Sequence, residues 1–531
     1  MVGAALAAAR GGVTRSVNEL APAVIDGWEM AADHLAMAQL PSLLYLTAGA
    51  ALFGALIRIA APPATWIALT LLLHASRSWP TWPGQALLWI VLFVALAIGY
   101  RGIMPIPGPA YFVACAMTAA TIVLPFVADR LTAFRLGALG PTLIFPVAFV
   151  AAEFLRSRFA PPATWGSIAY TQFGYAPLMQ IAAVTGIWGL TFLIAWFAST
   201  FELAWSRGFA WGAVRGPVLT FVAVLTLVIV AGTLRLVLAP TDRPSMRAAT
   251  LNRPADLFVP GEMTRITEGR VTPADHADLA AKVAKLQDWF LDGSRREARA
   301  GARLIVFPEG NLLVFKDDER AFLERASRLA RDEHVYLAMG MGTIHLGEKL
   351  PFENKLVLID PAGQTLVSYR KSHPANDWEA GIMRAGDGRV PVVGTPDGRL
   401  AGVICFDADF PEFTRQAAQG SADLLIVPVN DWRDIKDLHF RMHAFRAIET
   451  GMPVVRAAAS GISSAFDPWG RVLGVTDFFA PGDRTLTVQV PMGHVRTIYA
   501  TTGDLFAWLC VVGVAAGLGA AMFAPRVIAG T

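Results

Sequence analysis

Long stretches without a charged side chain fill the first half of the chain and return at its end. A helix that crosses a bilayer needs about 20 mostly apolar residues, and eight of these stretches approach that length. Pro62 and Pro63 shorten the second stretch, where a buried helical hairpin is the alternative to a span. The pattern predicts seven spans before a more polar middle region and one after it, within 35–57, 59–76, 78–100, 102–128, 136–152, 178–201, 217–234 and 505–525.

The middle region, residues 245–502, alternates short apolar runs with amphipathic stretches. Near-continuous apolar strands mixed with amphipathic helices are typical of a sheet covered by helices, and so of an α/β domain. Strands are predicted at 302–307, 335–340, 355–359, 400–404, 424–429 and 454–459. Helices are predicted at 272–299, 317–332, 411–419 and 438–450.

These patterns divide the chain into four parts. An N-terminal segment, 1–40, comes before a membrane domain of seven spans, 41–244. The α/β domain follows at 245–502, and the final span with its C-terminal tail occupies 503–531. The expected fold is therefore a polytopic α-helical membrane domain that carries an inserted α/β domain.

Composition supports a membrane protein. The chain is 54% hydrophobic and 16% charged, whereas soluble domains average about 25% charged residues. All seven lysines lie beyond residue 280, within the predicted α/β domain. The net charge of +3 is too small to indicate a nucleic-acid partner.

The arginines predict which side of the membrane the α/β domain faces. With the N-terminus inside, eight arginines fall on inner loops and tails, and four fall on outer short loops. This bias has the sign of the positive-inside rule. An odd number of spans then places the α/β domain outside the cytoplasm. Residues 1–40 lack the uninterrupted apolar core of a signal peptide, so the first spans are expected to direct insertion.

Three cysteines exclude a disulfide framework, because Cys115 and Cys510 lie in predicted spans. Cys405 is left alone in the α/β domain. A lone thiol of this kind is either a small buried hydrophobe or a nucleophile. Its neighbours in the fold must decide between the two.

Three predicted strand ends carry candidate chemistry: Glu309, Lys371 and Cys405. Each has an ordinary alternative, as a turn residue, a solvated charge and an inert buried thiol respectively. Desolvation after a buried strand is expected to raise the pKa of Glu309 towards that of a general base. The helix expected to open at Pro411 should lower the pKa of the Cys405 thiol. Glu, Lys and Cys together at strand ends of one domain indicate a catalytic site more specifically than any one of them alone.

The segments that hold these residues resemble those of the nitrilase, or carbon–nitrogen hydrolase, superfamily. They are Phe-Pro-Glu-Gly at 307–310, Tyr-Arg-Lys-Ser-His at 369–373 and Cys-Phe-Asp-Ala-Asp-Phe-Pro-Glu at 405–412. The position of the domain between a seventh and an eighth span narrows the resemblance to the bacterial apolipoprotein N-acyltransferases. Further similar segments lie in the membrane part, at 152–156, 170–172 and 177–190.

The resemblance implies an αββα sandwich with a Glu-Lys-Cys triad. Cys405 would be the nucleophile, Glu309 the general base and Lys371 the cation that stabilises the tetrahedral intermediate, while Glu379 matches a second active-site glutamate. An acyl chain would pass from phospholipid to a Cys405 thioester and then to the N-terminal amine of a diacylglyceryl-lipoprotein. No cofactor is expected. The implied setting is the bacterial inner membrane, with a monomer whose catalytic domain faces the periplasm.

Other residues have less specific interpretations. By resemblance, the residues that shape the pocket are Asp407, Asn430, Asp431, Trp432 and Glu449, and loop packing is the alternative. His439 and His443 lie four residues apart on one predicted helix face, but no third ligand is apparent, so no metal site is expected. Glu153 and Arg156 are interpreted as a structural ion pair at the end of a span.

Three hypotheses for function remain open from the sequence. The first is lipoprotein N-acylation. The second is a membrane-bound acyltransferase with another amine acceptor, or an amidase; Asp407 favours it, because that position resembles the hydrolase branch of the superfamily. The third is a membrane scaffold or transporter, which requires the Glu-Lys-Cys combination to be accidental.

Overall fold

The computed structural model describes residues 40–523, apart from 80, 138–139, 161–162, 255–256 and 483. Most of the predicted N-terminal segment, 1–40, therefore lies outside the described residues. The membrane part begins with α1 (Leu40–Ala55). Eight further α-helices of the described residues follow the predicted apolar runs: α2 (Pro62–Ser78), α3 (Trp82–Gly99), α4 (Pro109–Thr132), α5 (Gly140–Phe159), α6 (Ala176–Met179), α7 (Ala182–Thr185), α8 (Trp188–Ser206) and α9 (Trp211–Val237).

Four of the described helices are long and apolar enough to cross a membrane, namely α3, α4, α9 and the C-terminal α17 (Leu505–Phe523). The segment Ala176–Thr185 and α8 also meet this test together, but the pair is bent by 118°. The bend lies at Gly186, whose φ of 66° is a conformation that glycine adopts without steric cost. The protein is therefore a membrane protein with about four apolar helices in its described residues.

Glu153 and Arg156 attract each other electrostatically, but among the described residues no direct ion pair joins them. Arg156 donates a hydrogen bond to the Trp165 carbonyl at 3.1 Å. The buried Glu153 carboxylate instead accepts hydrogen bonds from Ser167 Oγ at 3.0 Å, Thr191 Oγ1 at 2.7 Å and the Ile168 amide at 3.0 Å. Buried polar groups need such partners. Glu153 thus fixes the loop after α5, which reaches the α/β domain.

The α/β domain contains two six-stranded sheets that face each other. The first has the order β12-β1-β2-β3-β4-β5, and the second β11-β10-β9-β8-β7-β6. The strands are β1 (Ser245–Thr250), β2 (Leu304–Phe315), β3 (Tyr336–Ile344), β4 (Phe352–Ile359), β5 (Thr365–Arg370), β6 (Val392–Thr395), β7 (Gly398–Gly402), β8 (Leu424–Asn430), β9 (Val454–Ala459), β10 (Ile462–Phe466), β11 (Val472–Asp477) and β12 (Leu486–Pro491).

Helices cover the outer faces of this sandwich. They include α10 (Glu262–Thr267), α11 (Pro273–Arg299), α12 (Glu319–Glu333), α13 (Asp377–Ile382), α14 (Pro411–Gln419), α15 (Lys436–Thr450) and α16 (Ile498–Thr502). In α11 the buried Leu279, Val283, Leu286 and Phe290 recur every three or four residues, so one face of the helix packs on the sheet. The sheets and helices form the expected nitrilase-like sandwich.

The predicted strands all exist; 454–459 matches β9 at both ends, and the others differ in one or both ends. The predicted strand 302–307 is the first half of β2, which continues to Phe315. Within β2, Phe307 pairs with Met339 and Leu312 with Met341, so four residues of β2 stand opposite one residue of β3. An insertion of this kind bends a strand and re-aims its side chains. Glu309 therefore lies inside a strand irregularity rather than after a strand end, which corrects the prediction.

The first and last strands of the domain are neighbours. β1 pairs with β12 in antiparallel register, from Ser245 opposite Pro491 to Thr250 opposite Leu486. β1 follows α9 of the membrane part, and β12 leads through α16 to α17. The chain consequently leaves the membrane part and returns to it at the same edge of one sheet.

Candidate active site

A cavity of about 370 Å³ lies where the ends of the two sheets meet. Glu309, Lys371, Glu379 and Cys405 all line it. One wall comes from the membrane part, where Trp165 faces the catalytic domain. Three predicted residues from distant parts of the sequence are thus brought to one place, together with Glu379.

Glu309 projects into the cavity from the irregular segment of β2. Its carboxylate accepts hydrogen bonds from Asn354 Nδ2 at 2.7 Å, Lys371 Nζ at 2.8 Å and the Asn430 backbone amide at 2.9 Å. Burial raises the pKa of Glu309, against the opposing charge of Lys371. The direction agrees with the sequence prediction, because the group is desolvated. A carboxylate with a raised pKa is suited to accept and return a proton near neutral pH.

Lys371 follows directly after β5 and is 1% exposed. Its ammonium donates to Glu309 Oε1 at 2.8 Å and to Glu379 Oε1 and Oε2 at 2.8 and 2.9 Å. Burial alone would lower the pKa of Lys371, but the charges of the two carboxylates outweigh it and raise this pKa well above its ordinary value. A fully ionised lysine is therefore held inside the cavity.

Glu379 lies on α13, whose first turn is capped by Asn376 Oδ1 accepting from the Glu379 amide at 2.9 Å. The Glu379 carboxylate also accepts from the Ala375 amide at 2.7 Å. These contacts hold the Glu379 carboxylate against the Lys371 ammonium. The structure thus places Glu379 in the cavity as the resemblance implied.

Sequence reasoning missed Asn354. It lies on β4, and its Nδ2 donates to Glu309 at 2.7 Å and to Glu379 at 3.2 Å. Its Oδ1 is buried and has no hydrogen-bond partner among the described residues. It stands between Glu353 and Lys355 in the polar first half of β4, so the local sequence carries no signal that its amide is buried in the site.

Cys405 stands at the start of a short 3₁₀ turn, Cys405–Asp409, with a φ of 47°. A left-handed backbone at a non-glycine residue costs free energy and is often found at functional positions. The predicted low pKa of its thiol is wrong. Burial, followed by the charge of Glu309, raises the pKa of Cys405 well above its ordinary value, although Lys371 opposes the shift. The thiol is therefore protonated at rest, and a base beside it is required.

The other predicted pocket residues are divided between the cavity and its surroundings. Trp432 lines the cavity and donates from Nε1 to the Gly102 carbonyl of the membrane part at 2.7 Å. Asn430 also lines it and holds Glu309 through its backbone amide. Two predicted residues, Asp407 and Glu449, do not line it, and each has a different role.

Asp407 is fully buried behind the cavity and fixes the segment after β5. It accepts hydrogen bonds from Tyr369 Oη at 2.6 Å, and from the His373 amide and Nδ1 at 2.8 and 2.9 Å. Glu449 lies near the base of the domain, where it accepts from the Ile187 amide at 3.0 Å. Burial raises the pKa of Glu449 to about 7. Both carboxylates therefore orient backbone rather than face the cavity.

The predicted histidine pair lies on α15, but each ring is already engaged. His439 contacts Asp409 Oδ1 at 2.9 Å through Nε2 and Asp431 Oδ1 at 2.6 Å through Nδ1. His443 contacts the His439 carbonyl at 2.7 Å through Nδ1. Since both nitrogens of His439 donate to carboxylates, the ring has no lone pair left for a metal.

A buried thiol, a carboxylate of raised pKa and a fixed ammonium in one cavity can perform nucleophilic acyl chemistry. The carboxylate can remove the thiol proton, and the resulting thiolate can attack a carbonyl carbon. The ammonium provides a fixed positive charge for the oxyanion that develops.

Two family models match separate parts of the chain. The carbon-nitrogen hydrolase model matches residues 274–500. The model of the apolipoprotein N-acyltransferase N-terminal domain matches residues 48–200. The two matches coincide with the α/β sandwich and with helices of the membrane part.

Curated relatives match across both parts. An apolipoprotein N-acyltransferase of Geobacter metallireducens is 29% identical over 399 residues, which cover 70% of this chain and 72% of that protein. One of Bradyrhizobium diazoefficiens is 25% identical over 402 residues, covering 68% and 70% respectively. Among solved structures, an amidase from Nesterenkonia sp. is 22% identical with a TM-score of 0.38, and the match covers 49% of this chain and 94% of the amidase.

The order of domains distinguishes this chain within the larger superfamily. Its hydrolase domain is preceded by the specific N-terminal membrane domain, and the relatives that match both parts bear one name. The chain belongs to the carbon-nitrogen hydrolases and, within them, to the apolipoprotein N-acyltransferase family.

Proposed function

We propose that this protein transfers a fatty acyl chain from a phospholipid to the N-terminal amine of a diacylglyceryl-lipoprotein, through a thioester on Cys405. The observation that carries the proposal is the Lys371 ammonium, 2.8 Å from both Glu309 and Glu379, in the cavity that Cys405 lines. The family match supplies the two lipid substrates. The site needs no cofactor for this chemistry.

In the first half-reaction, Glu309 takes the proton of the Cys405 thiol as Sγ attacks the ester carbonyl carbon of the phospholipid. The new C–S bond forms while the carbonyl π electrons move to oxygen, and Lys371 stabilises the oxyanion. One such preorganised donor is worth about 3 kcal/mol of barrier. When the intermediate collapses, the C–O bond breaks, and Glu309 returns the proton to the departing lysophospholipid alkoxide.

In the second half-reaction, the lipoprotein amine attacks the thioester carbonyl. Glu309 accepts the amine proton, an amide bond forms, and the C–S bond breaks to release Cys405 Sγ. Glu309 then returns the proton to sulfur, which restores the thiol. The reaction is thus a two-step exchange, in which the lysophospholipid leaves before the lipoprotein amine reacts. Glu379 keeps Lys371 in place through both steps.

The membrane arrangement belongs to the same proposal. Besides the four apolar helices, α1, α2, α5 and the bent pair that ends with α8 lie in the bilayer, giving eight spans. The domains then run from 41 to 244, from 245 to 502 and from 503 to 531. The bias of arginines supports a catalytic domain on the periplasmic side of the bacterial inner membrane. The protein is expected to act as a monomer.

Orientation is tested with a single reporter cysteine at the exposed Lys349, in a background where Cys115, Cys405 and Cys510 are all replaced by alanine. A membrane-impermeant maleimide should label Lys349→Cys in intact spheroplasts as fully as in lysed ones. Labelling that requires lysis would place the domain in the cytoplasm and contradict the proposed orientation.

The function is tested by the intact mass of detergent-purified protein after incubation with phospholipid. A gain of one acyl chain that hydroxylamine removes, and that Cys405→Ala lacks, is the expected result. Addition of a diacylated lipopeptide should then discharge the adduct and yield acylated lipopeptide. Absence of the adduct in folded protein would contradict phospholipid as the donor.

The same adduct assay tests the alternative substrates. Simple amines and short amides are compared with the lipopeptide at equal concentration. Faster discharge by a simple amine would favour another acceptor, and turnover of amides would favour an amidase. Asp407 does not line the cavity, so its resemblance to the hydrolase branch carries no contact that selects a substrate.

A further inference from the structure

A chain of buried charged groups runs behind Cys405 and continues into the membrane part. His439 is its centre, with Asp409 on one ring nitrogen at 2.9 Å and Asp431 on the other at 2.6 Å. Trp165 of the membrane part donates from Nε1 to Asp409 Oδ2 at 2.6 Å. Trp165, Asp409, His439 and Asp431, here called the buried bridge, are each at most 6% exposed.

The two carboxylates of the buried bridge belong to the two segments that set the active-site geometry. Asp409 ends the 3₁₀ turn that Cys405 begins. Asp431 follows Asn430, whose backbone amide donates to Glu309 Oε2 at 2.9 Å. His439 therefore joins the segment that carries the nucleophile to the segment that holds the base. The distance between these segments depends on both of its hydrogen bonds.

His439 must be an imidazolium to make both bonds. Carboxylates accept only, so each ring nitrogen has to donate a proton. The two carboxylates outweigh desolvation and raise the pKa of His439 to about 9. Arg456 also binds Asp431, so two positive side chains balance two negative ones. Such a balanced group is stable when buried, whereas a neutral His439 would leave an uncompensated carboxylate.

The other groups around His439 do not disturb this balance. On its own helix, His443 accepts no charge, because burial and the nearby arginines lower its pKa well below its ordinary value. Arg446, further along α15, is paired with Glu449 at 3.0 Å. The ionisable groups that face the ring from other elements are Asp409 and Asp431. Arg456 and the Cys405 thiol interact with Asp431.

The membrane part holds the buried bridge from its outer end. Trp165 follows α5, and the neighbouring Thr164 donates from Oγ1 to the Asp409 carbonyl at 3.0 Å. Thr164 in turn accepts from Tyr170 Oη at 2.8 Å. The Trp165 ring also contacts Phe406, the residue after the nucleophile, with ring centres 5.6 Å apart. The Cys405 turn is thus fixed to the membrane part by three separate contacts.

We propose that the buried bridge is a positioning device through which the membrane part holds the Cys405 turn and the Glu309-binding segment at their reactive separation. This inference rests on the proposed function. It implies that thioester formation on Cys405 depends on Trp165, a residue of the membrane part that lies outside the catalytic domain. His439 acts here as a charged cross-link and exchanges no proton with substrate.

The test compares Trp165→Phe with Trp188→Phe in the full-length protein. Both changes keep an aromatic ring and remove one N–H···carboxylate hydrogen bond. Trp165 loses its bond to Asp409. Trp188 loses its bond to Asp504 Oδ1, at 2.8 Å, which lies far along the chain from the site. Single-turnover thioester formation is followed by intact mass at several phospholipid concentrations. Displacement of the turn by about 1 Å should lower the maximal rate about 10- to 100-fold in Trp165→Phe, with little change in apparent KM. Trp188→Phe should keep the wild-type rate.

Asp409→Asn provides the second arm, with the pH profile as its readout. Loss of one carboxylate should lower the pKa of His439, so the alkaline fall in rate should move about 1–3 units towards neutral pH. A merely structural weakening would reduce the rate equally at every pH. Alkylation of Cys405 by iodoacetamide, measured across the same pH range, reports the geometry of the site without any acyl donor.

The outcomes separate this proposal from the proposed function. Equal losses of rate in Trp165→Phe and Trp188→Phe, or an unmoved alkaline limb in Asp409→Asn, would overturn the positioning role. If wild-type protein forms no acyl adduct, the proposed function fails. The buried bridge is then tested by the rate of Cys405 alkylation alone, which must change in Trp165→Phe and not in Trp188→Phe. Thermal unfolding of each variant shows whether it is folded.

Discussion

Replacement of Lys371 by methionine should destabilise the protein in a way that depends on pH. The ammonium lies 2.8 Å from each of two carboxylates, Glu309 and Glu379, whose side chains are 6% and 9% exposed. Removing one partner of a buried ion pair costs about 3–5 kcal/mol, because the remaining charge is left buried without compensation. At about 2–4 °C per kcal/mol, the melting temperature should fall by about 6–20 °C at neutral pH.

The sign of the pH dependence follows from the buried Glu309. Without Lys371, which opposes the shift, the pKa of Glu309 in the folded state rises further, while that in the unfolded state stays at about 4.3. Folding then takes up protons, so the stability deficit of the variant should shrink as the pH falls from about 8.5 to 5.5. Intrinsic fluorescence during thermal unfolding in detergent measures the deficit at each pH.

The double variant Lys371→Met with Glu379→Gln is the matched control. It leaves a single buried carboxylate, Glu309, which can remain neutral by binding one proton. Its melting temperature at neutral pH should therefore lie above that of Lys371→Met alone. A deficit that is constant with pH, or a double variant less stable than the single one, would refute the electrostatic explanation.

Three further outcomes are expected. Asp407→Asn places an amide group among donors only, and should lower the free energy of unfolding by about 2–4 kcal/mol in thermal unfolding, unlike a surface Asp→Asn change. The pKa of His439 is raised from 6.5 to about 9 in the folded protein. Its charge therefore adds about 3 kcal/mol to the free energy of unfolding below pH 6.5, and this stability is lost as the pH rises through about 9. The melting temperature of His439→Gln should not show this fall between pH 6.5 and about 9. In Gly340→Ala the new Cβ would lie 2.8 Å from the Glu309 amide nitrogen, so thioester formation should slow, whereas Gly394→Ala, with nothing within 4 Å, should keep the wild-type rate.

The sequence was sufficient to predict the layers of the catalytic domain, because its central strands are apolar on both faces. Residues 424–429 and 454–459 are examples, and both runs are buried strands in the structure. The strands at the sheet edge were not predicted. β11 is only partly buried along its length, so its sequence lacks the apolar run that marks a strand with two covered faces.

The site was predicted in its main residues but not in its electrostatics. Glu309, Lys371 and Cys405 stand beside strands that converge, which the order of motifs indicated. The pKa of Cys405 depends on burial and on the charge beside it, and neither is visible in the local sequence. Asn354 and Asp409 act on residues more than 25 positions away, so only the folded chain reveals their partners.

The antiparallel pairing of β1 with β12 has a consequence for folding. Both ends of the catalytic domain continue into helices of the membrane part, α9 and α17, so an unfolded catalytic domain remains a closed loop of about 250 residues. Bilayer insertion then restricts the unfolded chain as a covalent cross-link would, and in the chain-entropy model a loop of this size is worth about 5 kcal/mol. The lipid bilayer thus stabilises this domain without contacting its core. Release of α17 from the membrane would lower the stability of the sandwich, even if α17 makes no contact with it.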